Sequence, residues 1–187
     1  MTEPRILVAF QTAEGQTGKI ANRIAEVLRG DGANVDVHTA DSAPAPDAYD
    51  GVIVGGSIHA GRYGPALIDY VKTNASALNA MPSALFQVSL TSANLDEQHT
   101  AAAHRMMQEL LDDTGFDPDL VAMFAGAVLY TRYGWIKRGM MRAIVAAEGG
   151  DTETTHDHEY TDWNAVEHFA RDVGALALAA SPARSRR

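Results

Sequence analysis

Short apolar runs alternate with segments of helical spacing along most of this chain, and that alternation limits the fold more than any other feature. The runs Ile6–Phe10, Val52–Val54, Ala84–Leu90 and Leu120–Val128 are rich in Val, Ile, Leu and Phe, which suits strands covered on both faces. Val35-Asp36-Val37 alternates apolar and polar residues, as an edge strand with one wet face does. Between the runs, Ile20, Ile24, Val27 and Leu28 recur at helical spacing. So do Met106, Met107, Leu110 and Leu111, and then Val166, Phe169, Ala170, Val173 and Leu176. Pro65 ahead of Leu67, Ile68 and Val71 predicts a helix with proline in its first turn. Thr161-Asp162 supplies cap residues for the last helix. Strand–helix–strand alternation implies βαβ units and a parallel sheet with helices on both faces. The expected fold is an α/β three-layer sandwich with five strands. At 187 residues and 20.0 kDa, one domain over residues 1–180 is expected, with 181–187 as a loose tail.

Composition narrows the chemistry. There is no cysteine, which removes disulfides, thiolate nucleophiles, iron–sulfur clusters and zinc–thiolate sites together. The formal net charge is −9, so no general nucleic-acid affinity is expected. No apolar run is long enough to span a bilayer, and the N-terminus lacks a signal peptide's h-region. The expected location is the cytoplasm, with peripheral membrane contact at most. Oligomeric state is not legible.

In doubly wound sheets, ligands bind beyond the carboxyl ends of the strands, so three loops matter. Gln11-Thr12-Ala13-Glu14-Gly15-Gln16-Thr17-Gly18-Lys19 joins the first strand to the first helix. A helix start offers unpaired N–H groups and a positive dipole end to an anion, and Thr12 and Thr17 add hydroxyl donors. A hydroxyl-capped helix start is the alternative. Neither a P-loop nor GxGxxG is present. Gly55-Gly56-Ser57-Ile58-His59-Ala60-Gly61-Arg62-Tyr63-Gly64 follows the third strand. Its four glycines let the backbone wrap a flat ligand, with Ile58 and His59 beside a ring. His59 is read as a loop residue without catalytic duty. Ser89, Leu90, Thr91, Ser92, Ala93 and Asn94 follow the fourth strand with small hydroxyl groups.

Thr12, Gly15 and Thr17 fall on the hydroxyl-x-x-Gly-x-Thr form of the flavodoxin phosphate loop. Glu14 departs from it, since a carboxylate beside phosphate is unfavourable unless it points away. The segments Ala125-Gly-Ala-Val-Leu-Tyr-Thr-Arg-Tyr-Gly-Trp135, Gly149-Gly-Asp-Thr-Glu-Thr154 and Tyr160-Thr-Asp-Trp163 resemble a narrower group, the menaquinone-dependent protoporphyrinogen IX dehydrogenases. The Gly55–Ile58 loop and Met81-Pro-Ser-Ala84 are similar to that group too. The resemblance runs from about Ile6 to Phe169. His59 stands where a basic residue is expected, and Asn94–His104 has no counterpart. The resemblance implies a flavodoxin-like sheet of order 2-1-3-4-5 with an extra helical insert near the fifth strand. It implies FMN as cofactor, a porphyrinogen as donor and a quinone as acceptor, in haem biosynthesis. On that reading the cofactor contacts are Thr12, Ala13, Glu14, Gly15, Gln16 and Thr17, then Ser57, Ile58, His59, Ala60 and Gly61, then Ser89, Leu90, Thr91 and Ser92.

The insert is distinctive in its own right. Leu120–Ala147 has no acidic residue but carries Arg132, Lys137, Arg138 and Arg142, interleaved with Tyr130, Tyr133 and Trp135. Ile136, Met140, Ile144 and Ala147 share a helical face. Three readings stand: a structural cover, an anion-recognising wall, or a patch for anionic lipid. Arg132, Tyr133, Trp135, Lys137 and Arg138 are the candidate substrate contacts. His156-Asp157-His158-Glu159 is read as a polar loop, and no metal is expected. Two rivals remain: a flavodoxin-type electron carrier, whose acidity suits a basic partner, and a quinone reductase with a nicotinamide donor.

Overall fold

The structure is a computed structural model that describes residues 3–59, 61–89, 97–125, 127–128, 158–159 and 161–184. Five parallel strands, β1 (Arg5–Gln11), β2 (Asn34–Thr39), β3 (Gly51–Ser57), β4 (Ser83–Ser89) and β5 (Leu120–Ala125), form one sheet in the order β2-β1-β3-β4-β5. The helices are α1 (Gln16–Gly30), α2 (Pro65–Leu78), α3 (Glu97–Thr114) and α4 (Trp163–Arg184), and a 3-10 turn spans Pro46–Ala48. β6 (Ala127–Val128) and β7 (His158–Glu159) pair antiparallel as a short ribbon.

Side-chain alternation along the strands builds a core on each face. Ile6, Val8, Ile53, Ala84, Phe86, Val88 and Phe124 pack with Ile20 and Ile24 of α1 and Val166, Phe169 and Val173 of α4. Leu7, Ala9, Val52, Val54 and Leu85 pack with Leu67 and Val71 of α2 and Met107 and Leu110 of α3. β1, β3 and β4 are buried on both sides, which is why their sequences run apolar without alternation. Val35-Asp36-Val37 lies in β2, an edge strand as its alternation implies.

Several boundaries differ from the expectation. β3 runs on to Ser57, so Gly55 and Gly56 are strand residues rather than loop. Both are glycine because neighbours occupy the space of a side chain. A Cβ on Gly55 would overlap the Phe86 ring, and one on Gly56 would meet Tyr63 and Leu67. Phe86 in turn packs edge-on or tilted against Phe124 and Phe169, with centroids 6.1 and 6.4 Å away. Ser89 is the last residue of β4. His158 and Glu159 lie in β7 and not in a loop. α4 continues to Arg184, past the expected start of the tail, as the strong helix formers around Ala175–Ala180 allow. The fifth apolar run divides, with β5 ending at Ala125 and β6 starting at Ala127. The residues between β6 and β7, including the whole cationic stretch, lie outside the described residues.

Candidate functional site

The register of the sheet brings the expected loops to one edge. Gln11 pairs with Gly56, Ser57 with Val88, and Ser89 with Ala125. The carboxyl ends of β1, β3, β4 and β5 therefore finish side by side at one end of the sheet.

The first loop is folded on itself. The backbone N–H of Gly15 donates to Thr12 Oγ1 at 2.9 Å. Gly15 sits at φ 97°, ψ −17°, a left-handed conformation that costs a side-chain-bearing residue about 1–2 kcal/mol. It is the cap residue of α1, and no side chain caps that helix. The first N–H groups of a helix have no intrahelical partner, so this start is ready for an anion. Thr17, 1% exposed, has its Oγ1 buried without a partner among the described residues. Gln16, 4% exposed, has its Oε1 in the same condition. Buried polar atoms are rarely left unpaired, so two in adjacent residues at an uncapped helix start make it the candidate ligand site.

The neighbouring helix start is different. α2 begins at Pro65, and the N–H of Leu67 donates to Gln11 Oε1 at 3.0 Å. The Gln11 amide lies where a Cβ on Gly64 would otherwise stand. This N-terminus is already closed by the protein, so the phosphate reading belongs to α1 alone of the two.

Ser57 joins the first two loops, because its Oγ accepts from the N–H of Ala13 at 3.2 Å. The second loop makes a tight turn closed by His59 N–H to Arg62 O at 3.0 Å and Arg62 N–H to His59 O at 3.3 Å. Gly61, at φ 75°, is in that turn. Ile58 is half-buried and His59 exposed. Tyr63 anchors the turn from below. Its hydroxyl donates to Gln87 Oε1, and Gln87 Nε2 donates to the carbonyl of Ala103 at 3.1 Å. Burial pushes the Tyr63 phenol well above its ordinary pKa. Sequence reasoning passed over Gln11, Tyr63 and Gln87, whose partners are 16 to 56 residues away.

Asp162 is the helix cap of α4, its Oδ1 accepting from Asn164 N at 2.9 Å and Ala165 N at 3.2 Å. Thr161 instead links two distant parts of the chain. Its Oγ1 accepts from Gln16 Nε2 at 2.9 Å and donates to Ala125 O at 2.8 Å.

Of the expected contacts, the structure gathers Thr12, Ala13, Glu14, Gly15, Gln16, Thr17, Ser57, Ile58, His59, Gly61 and Ser89 at this end. Ala60, Leu90, Thr91 and Ser92 lie outside the described residues, as do Arg132, Tyr133, Trp135, Lys137 and Arg138. Among the described residues, no group of three or more His, Asp or Glu could hold a metal ion. No helix there is long and apolar enough to cross a membrane.

Comparison with known proteins agrees with this fold. A flavodoxin domain model matches residues 7–155. Solved structures with the same fold include a flavodoxin from the domain Archaea, with a TM-score of 0.54 at 12% identity over 92% of this chain and 98% of that one. Oxidised flavodoxin 1 from Bacillus cereus gives 0.53 at 15% identity, over 94% and 97%. A relative from Leishmania major, named protoporphyrinogen IX dehydrogenase (quinone), is 38% identical over 96% of this chain and 78% of its own length. Its namesake from Escherichia coli strain K12 is 37% identical over 92% of this chain and 96% of its own. The chain belongs to the flavodoxin-domain family, in the branch formed by the protoporphyrinogen IX dehydrogenases (quinone).

Proposed function

We propose that this chain is an FMN-dependent oxidoreductase of haem biosynthesis, which oxidises protoporphyrinogen IX to protoporphyrin IX with a quinone as acceptor. The observation that carries the reading is the 37% identity across 96% of a relative named for that reaction.

The residues present fit FMN. The uncapped start of α1 and the orphaned Thr17 hydroxyl suit a phosphate dianion. Thr12 Oγ1 accepts from Gly15, which leaves its proton to donate outward. Ser57 holds the phosphate loop against the second loop. The turn closed by His59 and Arg62, with half-buried Ile58 before it, and the segment from Ser89, the end of β4, to Ser92 would flank the isoalloxazine.

Bound FMN would supply two-electron acceptance from the tetrapyrrole and return of those electrons to a quinone, and three such cycles, with three quinones reduced, would complete the six-electron oxidation. The protein binds and orients. Arg132, Lys137 and Arg138 are the cations for the porphyrinogen carboxylates, with Tyr133 and Trp135 flanking the macrocycle. No general acid or base is assigned. A lipid-soluble acceptor also favours peripheral contact with the cytoplasmic face of a membrane, where the same cations meet anionic lipid. The net charge of −9 favours a second reading, an electron carrier that docks on a basic partner.

Anaerobic turnover separates the two. The FMN-loaded protein should form porphyrin, read by its absorbance, only when porphyrinogen and quinone are both present. A carrier would give none without a further protein.

A further inference from the structure

The Gln16 amide is gripped from one side only. Nε2 donates to Thr161 Oγ1 at 2.9 Å, and Thr161 donates onward to the carbonyl of Ala125 at 2.8 Å. A carbonyl oxygen only accepts, so the one hydroxyl proton of Thr161 is committed to Ala125. The hydroxyl oxygen is left as an acceptor, and the Gln16 group facing it has to be the NH2. The relay therefore dictates which way round the amide sits. It leaves Oε1, buried and without a partner among the described residues, as the end offered to a ligand.

The relay also has a defined place in the fold. Ala127 pairs with Glu159 and Val128 with His158 in the ribbon of β6 and β7. Ala125 and Thr161 each lie two residues from the paired Ala127 and Glu159. The relay thus ties the end of β5 and the residue before the α4 cap to the start of α1.

We propose that Thr161 is a positioning residue for the cofactor. It holds Gln16 with Oε1 as an obligate acceptor, which takes a hydrogen bond from a hydroxyl of the ligand's polyol chain and not from its phosphate. This rests on the reading of the site as one for FMN. Phosphate dianion oxygens are acceptors, and a fixed carbonyl oxygen repels them. Thr17 Oγ1 is the orphan that donates. The two adjacent residues therefore sort two parts of one ligand: Thr17 takes phosphate and Gln16 takes the polyol. Riboflavin keeps the polyol and lacks the phosphate, so it separates these contributions.

The experiment titrates flavin-stripped full-length protein with FMN and with riboflavin, read by flavin fluorescence. Thr161→Val should weaken both ligands by the same factor, about tenfold. Thr161→Ser keeps the hydroxyl and should restore both. Thr17→Ala should weaken FMN alone. Gln16→Leu should match Thr161→Val, and the double variant should be no weaker than either single one, because the two act as one unit. Gln16→Leu also carries the test if Thr161→Val does not fold. Loss of FMN affinity alone in Thr161→Val would overturn the inference, and so would unchanged affinity for both ligands or failure of serine to rescue. A wild-type protein that binds neither flavin would overturn the FMN reading itself, a different result from wild-type binding with silent variants.

Discussion

Thr17 is 1% exposed and its hydroxyl has no partner among the described residues, so its removal should cost the fold little and the ligand much. A charge-assisted hydrogen bond contributes roughly 1.5–3 kcal/mol. Thr17→Ala should therefore weaken FMN about 10- to 150-fold and leave riboflavin nearly unchanged, as isothermal titration would show. Equal weakening would place the phosphate elsewhere. Gly61, in the second loop, and Gly56, near the end of β3, differ in their surroundings. Gly61 has open space around its Cα and a φ of 75°, whereas a Cβ on Gly56 would stand within 2.8 Å of the Tyr63 ring. Gly56→Val should thus destabilise the protein by about 1–3 kcal/mol through overpacking, visible as a lower Tm whatever its flavin content. Gly61→Val strains one exposed turn by about 1–2 kcal/mol and should lower flavin occupancy with the far-UV spectrum intact. In sequence the two glycines look alike. What tells them apart is the pleat of β3, which aims position 56 at Tyr63 and Leu67.

At the scale of elements, two polar links hold the site's loops and neither is visible locally. Gln11 caps α2 from the end of β1. Gln11→Ala should cost about 1 kcal/mol, the usual loss of an N-terminal cap, measured by chemical denaturation. Tyr63 is buried, and its phenol is held well above its ordinary pKa by desolvation. Tyr70, also buried, is pushed up to about 12 for the same main reason. A raised tyrosine pKa means that the unfolded chain ionises first. The stability these groups contribute is complete below their unfolded pKa of about 10 and is lost as pH rises through the folded values. Alkaline denaturation should therefore steepen above about pH 10. Tyr63→Phe should flatten that slope, and an unchanged slope would show that Tyr63 ionises normally. The elements themselves were legible, because continuous apolar runs mark doubly covered strands and 3.6-residue spacing marks α1, α2, α3 and α4. Their ends were not. β3 reads as Val52–Val54 in composition, yet it extends through Gly55 and Gly56, which are small to admit Phe86 and Tyr63. Thr161 reads as a helix cap, but Asp162 does that work and Thr161 answers to Gln16, 145 residues away.

The whole molecule is acidic, at −9, yet the stretch from Leu120 to Ala147 holds four cations and no acid. That asymmetry is the feature a pure carrier has no need of, and we propose that it serves an anionic substrate, an anionic lipid surface, or both. Arg132→Ala should raise the KM for porphyrinogen. Arg138→Gln with Arg142→Gln should chiefly reduce binding to anionic liposomes, in a salt-sensitive way. Exposed charge pairs are worth only about 0–1 kcal/mol, so thermal stability should barely change. Variants that lose stability and keep both functions would make the segment a structural cover. The carboxyl ends of β1, β3, β4 and β5 form one end of the sheet, and we propose that a porphyrinogen delivers electrons to a flavin there. The most direct test mixes the FMN-loaded protein anaerobically with protoporphyrinogen, NADH or NADPH and follows the bleaching of flavin absorbance. Rapid bleaching by protoporphyrinogen, slow or none by either nicotinamide, and recovery on adding quinone are expected. Rapid bleaching by NADH or NADPH, with protoporphyrinogen inert, would contradict it.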